Sequence, residues 1–76
     1  MPQNLAIYPE LDRIRRADPN VYVLIRISPY RTTEQVVTDM VNMRDALLAQ
    51  FNYDGEVVRL QITNEGRKIY ARKVVE

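Results

Sequence analysis

The segment "TTEQVVTDMVNMRDALLAQF", residues 32–51, constrains this chain more than any other stretch. Val36, Met40, Met43, Leu47 and Phe51 recur at three- and four-residue spacing. That spacing lays one apolar stripe along a helix of roughly five turns. Val37, Val41 and Leu48 widen the stripe, while Asp39, Asn42, Asp45 and Gln50 lie off it. A face this broad suits packing against a sheet. Thr32 with Gln35 three residues on forms a capping-box start, and "NYDG" releases the chain through Gly55, which is free to take positive φ.

The strands for that sheet are legible on both sides. In "VYVLIRIS", residues 21–28, strict alternation sends Val21, Val23, Ile25 and Ile27 one way and Tyr22, Leu24, Arg26 and Ser28 the other. "GEVVRLQITNEGRKIYARKVVE", residues 55–76, reads as a β-hairpin. A three-residue loop would mix apolar and charged residues on both faces. A four-residue loop pairs Ile62 with Arg67, Leu60 with Ile69 and Val58 with Ala71, and sets Glu56 opposite Lys73. On that register Val58, Leu60, Ile62, Ile69 and Ala71 face the helix. Ahead of the first strand, "YPELDRIRRADP" predicts a short helix, with Pro9 in its first turn, Leu11 and Ile14 on one side and Asp18-Pro19 as its stop. "NLAIY" before it is expected as an extended arm. The predicted fold is α+β: a short N-terminal helix, then β-α-β-β, one long helix on one face of a three-stranded sheet that ends in a C-terminal hairpin. Residues 1–76 form one domain. The expected core is Val23, Ile25, Val36, Met40, Leu47, Leu60, Ile62 and Ile69. Strand order is left open.

At 76 residues the core is small for a free-standing domain, and with no cysteine and no histidine neither disulfide nor metal reinforces it. Good packing or self-association must supply stability, so a homo-oligomer is expected. Net charge is +1, with an acidic middle (−3 over residues 32–55) between basic ends of +2 each. That balance gives no overall basic field for nucleic acid. The longest strictly apolar run, Val21–Ile25, is too short to span a membrane, and the first ten residues have no signal-peptide pattern. A cytoplasmic location is the expectation.

No catalytic or cofactor motif is present. Without histidine or cysteine the usual base and thiol nucleophile are missing, and Ser28, the only serine, has no evident partner base. Glu10 and Asp12 read as a helix start, and Pro2 lacks the strand pattern that would bury a proline amine. "NYDGE" fails as a calcium loop because Gln50 and Gln61 stand where carboxylates are required. The chain is therefore expected to be non-enzymatic, without cofactor or metal. Arg31, Thr32 and Thr33 at the start of the long helix form a candidate anion site, which competes with plain capping.

The outer sheet face is the stronger candidate. Tyr22, Leu24, Arg26, Arg59, Lys68, Tyr70 and Arg72 are placed together there by alternation, with Val57 and Val74 beside them. Tyrosine and arginine are enriched at protein interfaces, and they also form single-stranded nucleic-acid platforms. The expected role is a protein-interaction or assembly module that binds a partner or itself. Nucleic acid is the alternative partner. The order of strand, helix and "DGEVVRL" strand resembles the small linker domains of phycobilisome assemblies over about half the chain. No residue role is carried over from that likeness.

Overall fold

The computed structural model describes residues 9–75, so the expected arm at "NLAIY" and the Pro2 amine lie outside the described residues. The elements are α1 (Pro9–Arg16), β1 (Val23–Ile27), α2 (Thr33–Tyr53), β2 (Leu60–Glu65) and β3 (Lys68–Lys73). This is the expected α+β arrangement. All pairings are antiparallel and the sheet order is β1-β3-β2. The last strand thus lies in the middle, and β1 and β2 are both edges.

Both helices lie on one face. α1 packs on β1 and β3, and α2 packs on β2. Leu11 and Ile14 from α1 meet Leu47 and Phe51 from α2 over Ile25, Ile69 and Ala71. Val23, Met40, Met43, Val58, Leu60 and Ile62 complete this layer as partly covered residues. Val36 is also buried. The molecule is only 16 Å deep along its shortest axis, as two layers of secondary structure require.

Helix and turn ends follow local chemistry. Thr32 Oγ1 accepts from the Gln35 amide at 3.2 Å, which caps α2. At the other end the Glu56 amide donates to the Phe51 carbonyl and the Gly55 amide to Asn52, with Gly55 at φ +81°. These two bonds make a Schellman motif. Asp18-Pro19-Asn20-Val21 is a tight turn closed by the Val21 amide on the Asp18 carbonyl. Proline supplies the second position and Asn20, at φ +64°, the third, as a type II turn demands. The Asn20 side chain then exchanges two hydrogen bonds with the Val75 backbone, 3.0 and 3.2 Å long, tying this turn to the chain beyond β3.

Two expectations about register are corrected. The hairpin loop has two residues, Gly66 and Arg67, so Ile62 pairs with Ala71, Leu60 with Lys73 and Glu65 with Lys68. Gly66 takes φ +60°, the positive value that the first loop residue of a type II′ turn needs, so Thr63, Asn64 and Glu65 continue the strand instead of forming the loop. Glu56 consequently faces Arg15, not Lys73. The faces survive, because the two registers differ by an even number of residues. The second correction lies in β1. Val23 pairs with Ala71 and Leu24 with Tyr70, but Arg26 pairs with Ile69 and Ile27 with Lys68. Ile25 is therefore a bulge residue, and alternation reverses beyond it.

Leu47 is fully covered at the meeting point of both helices and the sheet. Leu47→Ala is expected to cost about 2–5 kcal/mol, measured by urea unfolding. A cost below about 0.5 kcal/mol would show that this side chain is outside the core.

Candidate functional site

The open face of the sheet is built as three rows across the strands. Tyr22, Arg72 and Gln61 form the first, Leu24, Tyr70 and Thr63 the second, and Ile27, Lys68 and Glu65 the third. In the first row the Arg72 guanidinium sits 5.3 Å from the Tyr22 ring centre and donates through Nε and Nη2 to the Gln61 amide oxygen. That pair of contacts lays the arginine flat along the sheet, where its charge is shared with a ring and an amide. Tyr22, Thr63, Asn64, Glu65 and Tyr70 line a shallow depression. Tyr22 and Leu24 are exposed, and Tyr70 and Arg72 are half-buried. Arg59 and the almost fully exposed Val57 flank these rows on the approach to β2.

Arg26 does not belong to this face. The bulge turns it toward the helices, where its Nε donates to Asp39 of α2 at 2.8 Å. The Asp39 side chain is only 13 % exposed, so this ion pair is half sheltered and fastens α2 to the edge strand. In exchange Ile27, expected to point the same way as Val23 and Ile25, stands on the open face with 59 % of its surface exposed. Strict alternation misses both residues. A run of two consecutive core-facing positions, Ile25 and Arg26, cannot be read from a period of two.

The candidate anion site is exposed throughout at Arg31, Thr32 and Thr33. The Thr32 hydroxyl oxygen is engaged by its own helix, as capping predicts. Ser28 is fully buried; its hydroxyl accepts from the Tyr30 amide, and its backbone exchanges bonds with Arg67. Its neighbours therefore give it a structural role at the end of β1. Among the described residues no cluster of three or more acidic, histidine or cysteine side chains is placed to hold a metal ion, and no helix is long and apolar enough to cross a membrane.

A charged cluster outside the expected site holds the lower corner of the fold. Arg15 donates to Glu56 at 2.6 and 2.9 Å and to Asp54 at 2.7 Å, and its guanidinium lies 5.2 Å from the centre of the Phe51 ring. The hydrogen bond to Glu56, then that to Asp54, raises the Arg15 pKa above its ordinary value, against a smaller opposing effect of burial. Lys73 Nζ donates to the Arg15 carbonyl at 2.9 Å, a cation on a carbonyl of the last turn of α1. The proximity of these groups depends on α1 folding back across the sheet, a tertiary event with no local sequence signal.

A double-mutant cycle on Arg26 and Asp39 is expected to give a coupling of about 1 kcal/mol in chemical denaturation. A coupling indistinguishable from zero would mean that the pair does not fasten the helix. Comparison with family models, with curated proteins and with solved structures found no match, so the likeness to phycobilisome linker domains has no support there and the open face is read on its own geometry.

Proposed function

We propose that the chain is a non-enzymatic protein-interaction module whose contact surface is the open face of its sheet. The observation that carries this reading is the makeup of the three rows after the bulge. Arg26 leaves the face and Ile27 enters it, so Tyr22, Leu24, Ile27 and Tyr70 form a continuous aromatic and aliphatic strip. The cations that share the rows are already engaged or opposed. Arg72 is held by Tyr22 and Gln61, and Lys68 lies opposite Glu65. A strip of this kind supports burial against an apolar partner more than a track for phosphates. Nucleic-acid platforms also stack bases on tyrosines, but they rely on cations that neutralise the backbone.

Panning a displayed peptide library against the chain gives a direct test. Selected peptides are expected to bind with little change between low and moderate salt, and Tyr70→Ala is expected to weaken them about tenfold or more. A random-sequence single-stranded oligonucleotide is the counter-probe. Affinity for it that falls steeply with salt, with a slope flattened by about one unit in Arg72→Ala, would replace this reading with a nucleic-acid one.

A further inference from the structure

We infer that the chain forms a two-fold dimer by pairing the β2 edges of two copies. The contact lies on the sheet's outer edge and on the flank of α2, and it shares with the open face only the edge residues Gln61, Thr63 and Glu65.

The two edges of the sheet are unlike. β1 is interrupted by its bulge, ends just before Pro29, and has the Leu24 carbonyl contacted by Arg13 Nη1 at 3.4 Å. These are ordinary means of blunting an edge. β2 runs six residues, "LQITNE", with no bulge, proline or lysine. The Val74 amide donates to the Arg59 carbonyl at 2.9 Å, so positions 59, 61, 63 and 65 exchange bonds with β3. The N–H and C=O groups of Leu60, Ile62 and Asn64 therefore project away from β3. Among the described residues no hydrogen bond of the structure reaches them.

A second copy answers those groups in register. Antiparallel pairing about an axis at Ile62 sets Ile62 opposite its own copy, Leu60 opposite Asn64 and Gln61 opposite Thr63. Each projecting group then meets another of the same set. The same register puts Arg59 opposite Glu65, once on each side of the axis, so the edge is complementary in charge to itself. Arg59 makes contacts within its own chain as well; the pairing requires only that Glu65 of the second copy come opposite it. Leu60 and Ile62 stay on the helix side of the joined sheet.

The flank of α2 points to the same axis. At 100° per residue, Asp39 stands on the side of α2 that turns toward β1, where it holds Arg26. Val37, Val41 and Leu48 stand on the opposite side, which looks past β2. Val37 is 39 % exposed and the other two are half-buried. Arg44, the charge among them, is paired with its neighbour Asp45 at 3.2 Å. Joining β2 edges brings two such flanks together above the joined strands. The contact is isologous and closed, and it adds burial that a domain of this size lacks.

Sedimentation equilibrium on the full chain is expected to give twice 8.9 kDa, with the amides of Leu60, Ile62 and Asn64 gaining protection from hydrogen exchange as concentration rises. Glu65→Arg alone and Arg59→Glu alone are each expected to weaken the dimer about tenfold, and the double exchange to restore it. Val37→Asp, at an exposed position, is expected to weaken it as well. Tyr70→Ala is expected to leave it intact. A monomer at millimolar concentration, free exchange of the three amides in a dimer, or a folded double variant that fails to recover would each overturn the inference. A dimer lost on Tyr70→Ala but kept on Glu65→Arg would also overturn it, while leaving the open face standing as an interaction surface.

Discussion

The bulge at Ile25 is the constraint on which the two faces of this small sheet depend. With three strands and helices on one side only, each side chain of β1 is either core or open surface, and a single extra residue decides which. Below the bulge the strand obeys simple alternation, with Val23 turned toward the helices and Leu24 away from them. Above it, Arg26 reaches Asp39 and Ile27 is displaced to the outside. An ion pair at the rim of the core and an aliphatic residue on the open face are thus two results of one backbone irregularity.

The helices are held to that sheet by different means. α2 presents its stripe to the strands and is fastened at one point by the Arg26–Asp39 pair. α1 is only eight residues long, too short to persist without tertiary support. Leu11 and Ile14 bury its inner side, and Arg15 binds its last turn to the chain that leaves α2. In many Schellman motifs an apolar residue just past the glycine packs on the third residue from the helix end. Here those positions are Glu56 and Phe51, and Arg15 spans them, with its charge on the carboxylate and its guanidinium near the ring. One side chain therefore completes the cap of α2 and anchors α1.

Much of this arrangement is legible in the residues. The stripe from Val36 to Phe51, the Thr32 cap, the stop at Asp18-Pro19 and the inward set of the hairpin all follow from local periodicity and turn chemistry. The hairpin register is not legible by the same route. Burial pattern distinguishes odd from even shifts, but it is indifferent between Ile62 opposite Arg67 and Ile62 opposite Ala71, which bury the same side chains. The choice rests on Gly66 taking positive φ, which lets polar residues that resemble a loop remain paired. The bulge is hidden for a related reason: "LIRI" alternates well by itself, and only the distant Asp39 gives Arg26 cause to turn inward. Alternation therefore outlines the open face but puts Arg26 on it and Ile27 off it, the reverse of their places in the sheet.

The strand order β1-β3-β2 has a consequence for how the chain is made. Neither β1 nor β2 touches another strand except β3, and β3 is the last of the five elements in sequence. During synthesis, helices and both edge strands emerge before the strand that joins them, and no part of the sheet can pair until β3 begins to leave the ribosome. β1 then has to find partners 41 to 48 residues downstream, whereas β2 meets the same strand across two residues. Loop closure favours the hairpin as the first sheet contact and the edge strand carrying the bulge as the last. Until that late step, the apolar run from Val21 to Ile25 is exposed on the nascent chain, and this is the interval in which a holding chaperone has a segment to bind.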